Sequence, residues 1–555
     1  MRSQSMLENL PLEVISIILG CLSHHSLLSL RLVSKFLSNQ VTSRVFSDLS
    51  LAINDLNKDR FHRNLWLVKH LATTCSPINS AVRTLRIKSL YSPRYRELSG
   101  GGRALRDDEP GPNEHLVQAT LSEHLARFLL KLQNLETVFW NYDAKRDPEC
   151  YLAPVAQSLS SPLKLRSLYV AIELANSGHP EPQLPPLQGF KHLLEFSISS
   201  DCTLPAPYWE NEVGPVVRAS QELASFSLVL KNGHKAAPPP LHAIMGEVPR
   251  PNLERLALEH VALPSPGLYP FCTKNLKELT LLTSPGPRGP AVAWPSVWTA
   301  LRNVGAELLS LSISVFEEGV DDMFNYLLSY SALRKLEITQ VQMDAQSAED
   351  AAGDVFWNTI VPQHKNTLVD LVVLPVYEGS WCYGQAASSA IRQCTSLKRL
   401  DLRLRLISDD WVNDEIARLR EDSDIKFLDQ EINTYEPIQY CPLLILQDIR
   451  AAGSVLQELL INITKPAERR DTDMLHLQQG TRPKGSRELN NLRAQMRRLL
   501  GEVKSGLCST QLPYYTGRAW PTVQIGYGMI LRWREHVARE DLSSGSYGTY
   551  VQGSA

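Results

Sequence analysis

Gly480 and Gly485 stand at the spacing of a phosphate-binding loop, in which backbone amides cradle phosphates, a lysine clamps their charge and a hydroxyl holds magnesium. Ser486-Arg487 follow where that lysine and Ser/Thr are required, so a nucleotide would lose both its clamp and its metal ligand. A zinc-binding ring needs paired Cys and His ligands at short spacing, but the nine cysteines are scattered from Cys21 to Cys508 with no CxxC pair. His24 and His25 are expected in a turn rather than on a metal. No G-x-S-x-G elbow marks a serine nucleophile, and a cysteine-based hydrolase or transferase would have to show one unusually reactive thiol among the nine. No motif calls for a cofactor. Residues 465–504 carry ten basic and five acidic side chains but lack the stacking aromatics that nucleic-acid contacts use, and 486–504 read as a solvated helix. The chemistry that remains is association with other proteins.

Composition points the same way. The chain has 555 residues, 43% of them hydrophobic, enough for more than one small domain and for a sizeable core. Lysine plus arginine (57) nearly balance aspartate plus glutamate (59), and a net charge of −2 gives no whole-chain field toward nucleic acid or membrane. The odd, scattered cysteines suit reduced thiols in a cytoplasmic or nuclear protein. Residues 1–5 carry only Arg2, and Glu13 and Ser16 interrupt the apolar stretch near Val14 to Leu22, so neither a secretory signal nor a membrane span is expected. The sequon Asn462-Ile463-Thr464 is read as a chance tripeptide.

Those association surfaces need elements to carry them, and the first lies at the front. Asn9 can cap a helix, Pro11 suits a first turn, and Glu13 sits near the positive helix end, so a helix is expected to begin there. Val14, Ile17, Ile18 and Leu22 fall on one face. After a break at Ser23-His24-His25-Ser26, Leu27, Leu30 and Val33 recur with helical spacing. A segment of about forty residues cannot bury all these side chains in its own core, so it requires a partner surface. Burial of each large apolar side chain is worth about 1.5–3 kcal/mol, enough to hold a subunit contact.

In order, Leu10-Pro11, Glu13, Val14, Ile18, Leu22, Leu27, the run Leu30-Arg31-Leu32-Val33-Ser34-Lys35, Val41 and Phe46 resemble the F-box motif. Where many members carry tryptophan after the basic residue, this chain has Phe36, followed later by Phe46. The resemblance implies a three-helix unit that docks on the Skp-type adaptor, and through it on the cullin, of a ubiquitin ligase. It would assign that docking to Leu10, Pro11, Val14, Ile18, Leu22, Leu27, Leu30, Val33 and Lys35. The remainder of the chain would then select an unknown protein substrate, without catalysis of its own.

A repeat runs through that remainder. An apolar residue followed by two more at offsets three and five recurs at Val82-Leu85-Ile87, Leu135-Val138-Trp140, Leu165-Leu168-Val170, Leu193-Phe196-Ile198, Leu223-Phe226-Leu228 and Leu253-Leu256-Leu258. It continues at Leu276-Leu279-Leu281, Leu308-Leu311-Ile313, Leu333-Leu336-Ile338, Leu368-Leu371-Val373, Leu397-Leu400-Leu402 and Leu456-Leu459-Ile461. First positions from 135 to 397 recur every 23 to 35 residues. Offsets three and five share one side of a strand, which predicts stacked parallel strands. Helix-like stretches at 115–132, 321–330 and 385–393 would cover their other side. The intervals 82–135 and 397–456 are about double and hold either insertions or missed repeats. The glycine-rich, charged residues 99–113 read as a loop, and the proline-rich stretches at 180–186, 238–240 and 285–290 as inter-repeat turns.

The series resembles degenerate leucine-rich repeats, and with the front motif the chain resembles fungal-type F-box proteins. The expected fold class is α/β: a three-helix F-box at 1–50 and a helical linker at 51–80. An irregular leucine-rich-repeat solenoid follows at 81–465, a horseshoe of parallel strands with outer helices. A capping region at 466–542, aromatic from 520, and a loose tail at 543–555 complete the chain. Outward strand positions would meet the substrate, above all Arg86, Phe139, Tyr169, Arg255, Lys335, Arg399 and Arg403, with Glu259, Glu337 and Asp401 beside them. The competing reading is a repeat scaffold whose front helices merely cap the solenoid, with no role in ubiquitin transfer.

Overall fold

Burial that alternates along short parallel strands dominates the computed structural model. It describes residues 10–53, 58–91, 95–97, 103–105, 113–144, 147–162, 164–173, 183–201, 204–230, 241–246, 250–261, 271–282, 294–316, 319–343, 345–404, 444–445, 448, 451–453, 458–463 and 522–525. The phosphate-loop spacing at Gly480, the basic segment 465–504, the prolines at 238–240 and 285–290 and the tail 543–555 lie outside the described residues. The chain divides into two compact units, Met1–Arg255 and Leu256–Ala555.

Unit 1 opens with three helices, α1 (Leu12–Cys21), α2 (His24–Leu30) and α3 (Lys35–Val45). The strand β1 (Asp48–Ala52) follows, then α4 (Lys58–Thr73), α5 (Pro77–Ala81) and β2 (Thr84–Ser89). Next come a small antiparallel hairpin, β3 (Tyr95–Glu97) and β4 (Arg103–Leu105), and the long helix α6 (Glu114–Leu130). β5 (Thr137–Asp143), α7 (Leu152–Ser160), β6 (Ser167–Glu173), β7 (Glu195–Ser200) and β8 (Ser225–Leu230) complete it. The sheet order β1-β2-β5-β6-β7-β8 is parallel throughout. β2 pairs directly with β5, so the doubled interval between them is an insertion that holds the hairpin and α6, not a missed repeat. Residues expected as a loop thus include the strand β4.

The offset pattern has a physical basis in this sheet. In each triplet of unit 1 the three apolar residues are buried, from Val82, Leu85 and Ile87 to Leu223, Phe226 and Leu228, while residues between them face outward. The backbone repeats too. The carbonyl just before a strand accepts two successive N–H groups from the next repeat: Ser47 from Arg83 and Thr84, Arg83 from Glu136 and Thr137, Glu136 from Arg166 and Ser167, Arg166 from Leu194 and Glu195, all at 2.7–3.0 Å. One oxygen with two lone pairs thereby satisfies two donors at each of these strand entries. Buried Asp147 closes the other end of β2 and β5, accepting from Leu90 N at 2.7 Å and Asp143 N at 2.9 Å, and burial pushes its pKa up to about 7.

Unit 2 continues the same device. β9 (Arg255–Glu259), β10 (Glu278–Leu282), β11 (Ser310–Phe316), β12 (Lys335–Gln342), β13 (Asp370–Leu374), β14 (Arg399–Leu404), β15 (Glu458–Ile463) and β16 (Thr522–Ile525) follow in order. From β10 to β16 neighbours pair in parallel. Carbonyls of Lys277, Leu309, Arg334 and Val369 each accept two N–H groups from the following repeat. β14 pairs directly with β15, so the second doubled interval is also an insertion. Within it, buried Asp448 accepts from Tyr383 Oη at 2.7 Å and Arg392 Nε at 2.6 Å, which pins that chain to the repeat. The stretch expected as a cap contributes β16, with Val523 and Ile525 at offsets three and five from Trp520.

The expected helices are present at Glu114–Leu130, Val320–Leu327 and Gln385–Ile391. Two further helices contain a five-residue π-type turn, Trp209–Val213 and Phe356–Ile360, and each runs into a proline, Pro215 or Pro362. The amide just before each proline bonds five residues back, Gly214 N to Trp209 O and Val361 N to Phe356 O. A proline ring cannot pack against the carbonyl four residues earlier, and widening the turn relieves that clash. The turns carry Trp209, Phe356 and Trp357 into the core, where Phe356 and Trp381 rings lie 4.8 Å apart.

Two consequences are measurable in unit 2. A Cβ on Gly353 would sit 2.9 Å from the backbone of Ser380 and Trp381, so Gly353→Ala is expected to destabilise the unit by about 1–3 kcal/mol in amide hydrogen exchange. Burial lowers the His364 pKa to about 4, with polar backbone at Leu327 and Ser331 opposing only in part. A neutral histidine in the fold contributes stability in full above about pH 6.5 and loses it as pH falls toward 4, about 3 kcal/mol over that window. His364→Leu is expected to flatten that part of the stability–pH curve, and an unchanged slope would contradict the assignment.

Candidate protein-docking site

The front helices are built around a small shared cluster. Ile15 and Leu19, four apart on α1, meet Leu27 of α2 and Val41 and Val45 of α3, with Leu10, Leu30, Phe36 and Phe46 packed against them. Ser23 caps α2 by accepting from Ser26 N, and Ser34 caps α3 by accepting from Leu37 N, both at 3.2 Å. Arg44 on α3 donates to the Ser16 carbonyl and hydroxyl, each at 2.8 Å, across a gap that Gly20 keeps open. Arg31 lies 4.6 Å from the centre of the Phe46 ring.

That cluster uses one side of the helices only. Val14 is 39% exposed, Ile17 69%, Leu32 89% and Val33 69%, and Leu22 and Leu28 are also exposed. Leu32 and Val33 lie in the turn between α2 and α3. Scattered exposed apolar residues are ordinary, but six within twenty residues of a capped, packed unit is a density of the kind that protein contacts cover.

The second surface is the outward face of the unit 1 sheet, and four of the sequence-predicted residues meet there. Arg86 Nε pairs with Asp48 at 3.0 Å, and its guanidinium lies 4.2 Å from the centre of the Phe139 ring. Phe139 and Tyr169 stack at 4.5 Å and 9°. The Tyr169 hydroxyl donates to Glu195, which also accepts from Arg255 Nη2 at 2.6 Å. Burial and that carboxylate push the Tyr169 pKa up to about 12, and the tyrosine's hydrogen bond holds Glu195 below its usual value. The remaining predictions lie in unit 2. Lys335 pairs with Glu337 at 3.1 Å, Arg399 with Glu458 at 3.2 Å, Glu259 lies 3.8 Å from His260, and Asp401 is buried. Arg403 donates to the Pro375 carbonyl at 2.7 Å. Asp48 and Glu195 were not foreseen: Asp48 because β1 was not recognised, Glu195 although it occupies an outward position in an expected strand.

The F-box domain family model matches residues 7–48. The front of the chain is an F-box domain. Comparison with curated proteins finds no match. No described helix is long and apolar enough to cross a membrane.

Within the F-box, the docking residues expected from sequence divide. Val14, Leu22 and Val33 are exposed apolar groups, Pro11 and Lys35 are exposed, and Leu10, Ile18 and Leu30 are half-buried. Leu27, 7% exposed, belongs to the cluster that holds the helices together. Val33 does not continue the α2 face, because α2 ends at Leu30 and residues 31–33 turn. His24 and His25 begin α2 rather than forming the break before it. Ile17 and Leu28 were not in the expected set, Leu32 was expected only as part of the motif run Leu30–Lys35, and of the three Ile17 had a helical-face signal in the sequence. The split between faces gives a direct contrast. Leu19→Ala is expected to cost about 2–5 kcal/mol and Ile17→Ala within about 0.5 kcal/mol, read by protection of the α1–α3 amides in hydrogen exchange.

Proposed function

We propose that this chain is a non-catalytic substrate-recognition subunit of a cullin-RING ubiquitin ligase. The F-box engages a Skp-type adaptor, the adaptor links it to the cullin, and the leucine-rich-repeat-type sheet holds a target protein. The observation that carries this reading is the division of the F-box into two faces. Its own cluster is complete with Ile15, Leu19, Leu27, Val41 and Val45, yet Val14, Ile17, Leu32 and Val33 stand in water. Covering these side chains with a partner would contribute about 1.5–3 kcal/mol for each one fully buried, from which ordering and association costs are deducted.

The sheet supports the second half of the reading. The inner positions of its strands are buried, while the outer positions keep aromatic, arginine and carboxylate side chains held in defined geometry by one another. Such preorganised polar and aromatic groups suit recognition, since little is left to order on binding.

Ile17→Asp combined with Leu32→Asp places charge on the exposed side without touching the cluster. Calorimetry with a purified Skp-type adaptor is expected to give at least about a tenfold loss of affinity, ~1.4 kcal/mol, with helix content unchanged. Full affinity in that double variant, or no adaptor binding by the unaltered chain, would refute the proposal.

A further inference from the structure

One turn of the unit 1 repeat holds a charge where its counterparts hold none. Three residues ahead of five of the six unit 1 triplets the chain buries a side chain, at Asn79, Leu132, Phe190, Ser220 and Arg250, and Pro162, half-buried, stands at the sixth. The backbone repeats there as well. The carbonyls of Leu132, Pro162, Ser220 and Arg250 each accept from the first N–H of the triplet that follows, at 3.1–3.3 Å. Leu132 and Phe190 need no polar partner at this position. Asn79 donates to the Leu71 and Thr74 carbonyls, and Ser220 Oγ accepts from Leu193 N at 3.1 Å.

Arg250 departs from that pattern. It is only 7% exposed, and its Nε is buried with no hydrogen-bond partner among the described residues. Nη2 reaches the Met245 carbonyl at 3.5 Å, long for a hydrogen bond. No carboxylate of the described residues pairs with it. The charge that does bear on it has the same sign. Arg218, exposed near the end of the helix Gly214–Ala219, passes its Cδ 4.0 Å from where a Cβ on Gly246 would sit, and Gly246 is the residue after Met245. Arg218 keeps contacts of its own, among them the Glu210 carbonyl at 3.5 Å. Burial and the Arg218 charge together hold the Arg250 pKa below the usual arginine value. A buried guanidinium in such surroundings is costly until an anion meets it.

We propose that Arg250 is the centre of a binding site for a phosphate group, as the free ion or as a monoester. The guanidinium presents parallel N–H donors to phosphate oxygens. Charge decides between oxyanions. The Arg218 charge acts on the same spot, so a dianion gains about twice what a carboxylate gains there. The site lies at a strand entry, apart from the F-box helices, and adaptor binding and phosphate binding can each succeed or fail without the other.

The test is calorimetric titration of the full chain with sodium phosphate, at an ionic strength held constant with sodium chloride. Saturable one-site binding is expected, at least about tenfold tighter than that of acetate. Arg250→Met should abolish it, yet be at least as stable as the unaltered chain in phosphate-free buffer, because Leu132 and Phe190 fill the equivalent position in other repeats. Phosphate should raise the melting temperature of the unaltered chain and leave that of Arg250→Met where it was. Arg250→Lys, which keeps the charge and loses the fork, and Arg218→Gln, at an exposed position, should both fold and bind phosphate more weakly, by at least about threefold. A parallel titration with capped phosphoserine separates the sources: tighter binding than the free ion assigns the site to a phosphorylated polypeptide, weaker binding to free phosphate. The proposal is overturned by absent or unsaturable phosphate binding, by acetate binding as tightly, or by unchanged phosphate affinity in Arg250→Met or Arg218→Gln. It is equally overturned if Arg250→Met is less stable in phosphate-free buffer, since the guanidinium would then already have its counter-charge within the chain.

Discussion

A helical unit of some forty residues can build one small apolar cluster and no more. In this chain the cluster of Ile15, Leu19, Leu27, Val41 and Val45 takes one side of three short helices, and the side chains at Val14, Ile17, Leu32 and Val33 are left over. Caps at Ser23 and Ser34 and the Arg44 clamp on Ser16 hold the helices so that the leftover side chains are presented on an ordered frame. The functional reading depends on that imbalance between apolar side chains available and apolar volume that can be filled.

The presented surface is joined closely to the repeat sheet that follows. Only Phe46 and Ser47 separate α3 from β1, and both are engaged: Phe46 packs on the helical cluster, and the Ser47 carbonyl accepts the first pair of N–H groups from the next repeat. The F-box therefore leads into the sheet without a flexible spacer. A substrate receptor benefits from such a junction, because the distance from adaptor to target is then set by packed secondary structure.

Much of this was legible in the residues. A period-two burial pattern repeated at offsets three and five survives degeneracy, since every strand must bury the same two side chains whatever else changes; hence the triplets from Val82 to Leu397 coincide with strands. β1 escaped notice because its triplet, Phe46-Leu49-Leu51, overlaps the end of the F-box motif and shares Phe46 with it. The outward face was legible residue by residue but not as an arrangement. Parallel register depends on how many residues each connection consumes, so the alignment of Arg86, Phe139 and Tyr169 in one row required the structure. The same holds for the front helices: spacing identified Val14, Ile17, Ile18 and Leu22 as one face, but which face would be buried depended on where α3 packs.

Side-chain footprinting of the F-box, with and without a purified Skp-type adaptor, bears most directly on the central claim. The account predicts that Ile17, Leu32 and Val33 lose reactivity in the complex, while Ile15, Leu19 and Val41 stay protected in both states. Reactivity at Ile17, Leu32 and Val33 that stays the same when the adaptor is added would contradict it.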